Sequence, residues 1–239
     1  MLFRPWSRPS SLEGDSRKPR ALGGFCPADA TSVTRQHVFS NTAAFGSVYM
    51  PGMGIPGADD KALIERVRCG DAAAFEALVV RHARAAFAVA LSFAANHADA
   101  EDICQDAWVR AVEHIEDCRQ PEKFAFWLLQ IVRNRARNFL EHRRIRAAQP
   151  LDEAFASGGP AGGDDPVRSL ERQRQRAVLE RAIDRLPHEQ REVVLLHDLA
   201  GWKHRTIGQA LGISEVLCRQ RLFQARAQLR KFIENDAQR

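Results

Sequence analysis

The chain has 239 residues, with 35 lysines and arginines against 30 aspartates and glutamates, giving a net charge of +5; that length makes one or two ordinary domains. With 45% hydrophobic residues it can build a core, which excludes full disorder. No charge-free run reaches the roughly 18 apolar residues of a membrane span, which excludes membrane insertion. The basic balance admits a nucleic-acid partner without proving one, since net charge does not say where the charges sit.

Residues 1–58 contain seven glycines, six prolines, six basic and three acidic residues, and no lasting apolar period. Such a segment buries too little surface to offset its ordering entropy, so it reads as a disordered extension. It lacks the apolar centre of a secretory signal. Met50 and Met53, just before the periodic pattern begins, leave open that part of it precedes the true start. The five cysteines (Cys26, Cys69, Cys104, Cys118, Cys218) are scattered and include no C-x-x-C pair, which favours a reducing cytoplasm over a disulfide framework.

The first ordered block spans 59–146. Leu63, Ile64 and Val67 make a short amphipathic helix stopped by Gly70. Asp71 is an N-cap for an alanine-rich helix carrying Phe75, Leu78, Val79, Phe87 and Leu91. A third helix is predicted over Ala98–Glu116, with Ile103, Ala107, Ala111 and Ile115 inward and Asp99, Asp102, Asp106 and Glu113 within about 60° on the far side. That stripe is either a solvated acidic face or a dock for a basic partner. A fourth helix, Glu122–Arg146, has the opposite sign: between Ile131 and Arg146 lie six arginines (133, 135, 137, 143, 144, 146) against one acid, Glu141. Arginines repeating along a helix suit a phosphate backbone. Asn134 and Asn138 stand where amides reach base edges. Phe124, Phe126 and Trp127 are either plain core or a stacking surface for unpaired bases.

Residues 147–167 collect glycine, proline and acids and read as a flexible acidic linker. The second block, 168–239, begins with a helix over Ala177–Leu186 stopped at Pro187. A second carries Val193–Leu199 and ends at Gly201. Then Thr206–Ser214 has helix-turn-helix spacing, with Gly208 for a close crossing, Gly212 for a left-handed turn and Ser214 as N-cap of the last helix. That helix buries Cys218, Leu222, Ala225 and Leu229. Its other faces carry Arg219, Gln220, Phe223 and Gln224 for base edges, and Arg221 and Arg226 for phosphates. The fold class is all-α: two small helical domains, a bundle and a helix-turn-helix, joined by the linker.

The stretches 63–79 (LIERVRCGDAAAFEALV), 99–111 (DAEDICQDAWVRA), 126–140 (FWLLQIVRNRARNFL), 186–196 (LPHEQREVVLL) and the 206–230 helix-turn-helix together resemble a bacterial sigma factor of the sigma-70 family, in the extracytoplasmic-function (ECF) group. The resemblance implies that Asp99, Glu101, Asp102, Gln105 and Asp106 dock core RNA polymerase. It implies that Lys123, Phe124, Trp127, Arg133, Asn134, Arg137 and Asn138 capture the −10 element and an unstacked base. The −35 element falls to Arg219, Gln220, Arg221, Phe223, Gln224 and Arg226. It also implies promoter DNA and an anti-sigma factor as partners, and a chain without cofactor, metal or catalytic residues. The pattern departs from the family at Lys203–Arg205, Gly208 and Val216–Cys218.

Two other readings compete. A stand-alone helix-turn-helix regulator accounts for 186–231 but gives the first block no role. An enzyme or zinc protein has little to rest on: His114 and Cys118 stand i, i+4, but a structural zinc site needs four ligands, and there is no P-loop, G-x-S-x-G or H-E-x-x-H.

Overall fold

Alanine density and well-placed caps set the helices of the first block. The computed structural model describes residues 60–94, 96–147 and 166–237. The extension before Asp60 and residues 148–165 of the acidic linker, with the disorder and flexibility expected of them, lie outside the described residues, while Ala147 ends one helix and Pro166 begins the next. Helix α1 is Asp60–Arg68, α2 Ala72–Phe93, α3 His97–Glu113 and α4 Phe124–Ala147, with 3₁₀ turns at Ile115–Asp117 and Pro121–Lys123. Asp71 caps α2, accepting from the backbone N–H of Ala73 and Ala74 at 3.0 and 3.2 Å. Asn96 caps α3 through the Asp99 N–H at 2.8 Å. Each cap satisfies amides that the helix itself leaves open.

The second block continues with α5 (Pro166–Asp184), α6 (His188–Val194), a π-helical turn (Leu195–Leu199), α7 (His204–Leu211) and α8 (Glu215–Ala237). Helix α5 begins earlier than the expected Ala177, because the arginine-rich run ahead of Ala177 carries no apolar period. The described residues are all helix, turn or coil, with no strand, and no helix among them is long and apolar enough to cross a membrane.

In the first bundle, Ile64, Leu78, Ile103, Trp108, Phe124, Leu128, Leu129 and Val132 are fully buried. The Phe75 and Trp108 rings meet edge to face at 5.9 Å. Buried side chains of this size stabilise by roughly 1.5–3 kcal/mol each, and an aromatic pair adds about 0.5–1.5 kcal/mol. A charged cluster ties α1 to α2. Asp60, with no exposed surface, receives Arg81 at 2.6 Å and His82 at 3.0 Å.

In the second bundle, Leu186, Val193, Leu196, Ile207, Cys218 and Leu222 form the core. The turn between α7 and α8 depends on two glycines. Gly212 sits at φ +67°, a left-handed conformation. At Gly208 a Cβ would lie 2.8 Å from the Ile213 carbonyl oxygen, so the close crossing needs glycine there. Ser214 accepts from the Leu217 N–H at 3.2 Å and starts α8.

The two bundles also dock on each other. The C-terminal half of α2 packs against α6 and the π turn, and the buried apolar residues of both bundles form one continuous cluster. Phe126 of α4 meets Trp202 edge to face at 6.2 Å, and Phe93 meets His188 at 4.3 Å. Across the same contact, Arg133 and Glu192 form an ion pair at 2.8–2.9 Å in which both side chains are about nine-tenths buried.

Candidate nucleic-acid and partner interfaces

Helix α3 turns its apolar side to the bundle, which leaves its acids outside. They are not equally free. Glu101 pairs with His97 at 3.1 Å. Asp99 pairs with Arg143 and Asp106 with Arg135, both reaching across from α4. Gln105 is half-buried. Asp102 is exposed and has no ion-pair partner among the described residues. The acidic helix and the basic helix are neighbours and partly neutralise each other. That contact between elements 29 and 44 residues apart is invisible to helical periodicity.

Helix α4 therefore offers fewer free arginines than its composition suggests. Arg135 and Arg143 are spent on α3, and Arg133 is sealed against Glu192. Arg137 and Arg144 are exposed with no ion pair among the described residues. Trp127, Gln130, Asn134, Arg137, Asn138 and Glu141 lie within about 100° on the helical wheel and form the outward face. Trp127 is half-buried with its ring 5.7 Å from that of Phe124, and Gln130 donates to the Asn134 side-chain oxygen at 3.3 Å. Lys123 is exposed just ahead of the helix.

Two residues expected on this face are elsewhere. Phe124 is fully buried between Trp108 and His82, so it presents no ring to a base. Its place at the first turn, on the core side of the wheel, explains this. Arg133 points toward the second bundle rather than to solvent, and in this arrangement no phosphate reaches it. Trp202 is a residue that the sequence pattern missed: nothing in its local context marks it as an anchor between bundles.

Helix α8 projects from the helix-turn-helix with Arg219, Gln220, Phe223, Gln224 and Arg226 exposed and Arg221 half-buried. Arg219 is tied to Glu215 one turn back. Arg226 is clamped to Asp198 of the π turn, so it braces α8 as well as contributing charge. Gln224 accepts from Gln190 of α6 at 3.3 Å. Arg221 has no ion pair among the described residues. Burial pushes the Asp198 carboxyl up, but Arg226 and His197 together hold it below its ordinary value. His204, stacked on His197 at 4.8 Å, is lowered by burial and by the positive charge of His197 and Arg219.

Three of the thiols are buried, and Cys69 is exposed. Burial raises Cys104, Cys118 and Cys218 above the ordinary thiol range. The Cys118 thiol lies 3.8 Å from the Gln120 carbonyl oxygen, while His114 turns to Asp117 at 3.0 Å. Among the described residues no group of three or more histidine, cysteine or acidic side chains is placed to hold a metal ion.

Comparison with known proteins gives three results. The sigma-70 region 2 family profile matches residues 78–145 and the sigma-70 region 4 profile matches residues 171–229. The chain is 30% identical over 180 residues to the RNA polymerase sigma factor NccH of Alcaligenes xylosoxydans xylosoxydans, covering 74% of this chain and 95% of that one. It is 34% identical over 145 residues to the probable RNA polymerase sigma factor RfaY of Xanthomonas campestris pv. campestris, a match that spans 60% of this chain and only 36% of that relative. Among solved structures, CnrH in complex with the cytosolic domain of CnrY superposes with a TM-score of 0.52 at 27% identity, covering 74% of this chain and 99% of that one.

Proposed function

Because the chain belongs to the ECF group of the sigma-70 family, non-enzymatic factors that direct RNA polymerase to promoters, we propose that α3 docks core polymerase, α4 captures the −10 element and α8 reads the −35 element. Residues 59–146 are then the polymerase- and −10-binding unit, and 168–239 the −35-binding unit. The observation that carries this reading is the outward face of α4. It sets an aromatic ring, two amides and a free arginine (Trp127, Asn134, Asn138, Arg137) in one row, beside an acidic helix that still offers Asp102. Stacking and amide contacts of that kind suit an unpaired strand, and extracting a base costs a few kcal/mol that such contacts offset.

A stand-alone helix-turn-helix regulator has no use for that face and binds duplex DNA unaided. The two readings part in a direct binding experiment. With a labelled promoter fragment, the chain alone should bind weakly, and addition of core polymerase should yield a tight, promoter-specific complex. Tight specific binding without polymerase supports the regulator instead. The CnrH structure holds the cytosolic domain of CnrY, and by that likeness this chain is also proposed to bind an anti-sigma factor in the cytoplasm.

A further inference from the structure

The outward faces of the long helices differ in kind. That of α3 carries Asp102, Asp106 and Glu113, and that of α4 carries amides and charges. Helix α8 is different. Its buried seam is Cys218, Leu222, Ala225 and Leu229, and the residues opposite that seam are Val216, Gln220, Phe223 and Ala227, within about 60° of one another. None is charged. Val216 is 72% exposed and Phe223 76%, the two most exposed large apolar side chains among the described residues. Water is a poor environment for such a stripe.

The flanks say what covers it. Arg219, Arg226 and Arg230 line one side, and Gln224 and Lys231 the other. An apolar ridge with a row of guanidiniums on one flank and a lysine on the other fits a polyanion whose interior offers apolar features, which is the major groove of duplex DNA. In that groove the one apolar group on any base edge is the thymine C5 methyl. The stripe's single polar member, Gln220, has the donor–acceptor pair that matches adenine N7 and N6. Arg219, the residue suited to guanine, is instead held by Glu215. The first turns of a recognition helix are the part that meets base edges, and Val216 lies in the first turn of α8.

We infer that α8 reads A·T pairs in the −35 element: Val216 and Phe223 pack on thymine methyls, Gln220 pairs with an adenine edge, and Arg221 and Arg230, which have no ion pair among the described residues, hold phosphates. This rests on the assignment of α8 to the −35 element, and the experiment separates the two. Holoenzyme, assembled from the full chain and core polymerase, selects from a promoter library randomised over the −35 region. The selected site is remade with deoxyuridine in place of each thymidine in turn, which deletes only the methyl. Open-complex formation by the wild-type chain should fall about 3- to 5-fold at one or more positions, the effect of one methyl group left unburied. Phe223→Ala or Val216→Ala should abolish that difference between thymidine and deoxyuridine. Arg221→Ala should weaken both templates equally. Both apolar side chains are exposed, so the variants should fold, with circular dichroism as the check.

A selected site without thymine overturns the inference. So does wild-type indifference to the methyl at every position while scrambling the −35 region still abolishes binding. An equal loss on thymidine and deoxyuridine templates in Phe223→Ala assigns the ridge to a protein partner and also overturns it. Indifference to scrambling overturns the −35 assignment itself.

Discussion

Asp60 shows how far a single residue departs from what its neighbours in sequence suggest. Read locally it is an acid ahead of a short amphipathic helix. In the fold it is fully buried, with Arg81 and His82 of the next helix as its partners. Burial pushes its carboxyl up, but the hydrogen bonds and charges of His82 and Arg81 outweigh that and hold it below the ordinary value of 3.8. A carboxyl lowered on folding stabilises the protein at pH values above its unfolded pKa, and that contribution is lost as pH falls below about 4. Asp60→Asn should therefore destabilise by about 1–3 kcal/mol at neutral pH, and the gap from wild type should narrow as pH falls below about 4. Denaturant unfolding of both proteins across that range is the measurement; a gap independent of pH contradicts the assignment. The caps at Asp71 and Ser214 and the turn at Gly212 were readable because each acts within three or four residues. The Asp60 cluster was not, because its partners lie 21 and 22 residues away.

At the scale of elements, the amphipathic periods of α1 to α3 and α8 predicted which face of each helix is buried, since a 3.6-residue repeat reports that directly. The periods did not report which helices sit side by side. Thus the arginines of α4 were read as free when two of them pair with α3, and Arg133 was read as facing DNA when it is sealed against Glu192. Removing one partner of such a buried pair strands the other charge. Glu192→Ala should lower unfolding stability by about 3–5 kcal/mol, whereas Arg133→Met combined with Glu192→Leu should restore most of it; equal losses in the two proteins would argue against the ion pair. On α3, Asp102→Arg should weaken binding to core polymerase while changing stability by no more than about 0.5 kcal/mol, because Asp102 is exposed. A fluorescence titration with core polymerase checks this, and unchanged affinity would remove the docking role. On α4, Asn134→Ala and Asn138→Ala should harm transcription from closed duplex promoters more than from templates with a mismatched −10 bubble, where the base is already unstacked. The same fold-loss on both templates would mean that this face does not open the strand.

For the whole molecule, an all-α fold of two helical units was legible from block composition and the spacing of Gly208, Gly212 and Ser214. Their docking was not. It is built from side chains that each look like local core, Phe93, Phe126 and Trp202 among them, and one unmarked charge pair. The family was legible only jointly: an acidic stripe, an amide–arginine helix and a helix-turn-helix are each common, and the two family profiles match in that order along the chain, over residues 78–145 and 171–229. The central claim is that this chain gives core RNA polymerase its choice of promoter, and run-off transcription on genomic fragments tests it most directly. Core polymerase supplied with the chain should start at a small set of sites that share upstream −35 and −10 sequences, and core polymerase alone should not start there. Unchanged start sites with and without the chain would contradict the account.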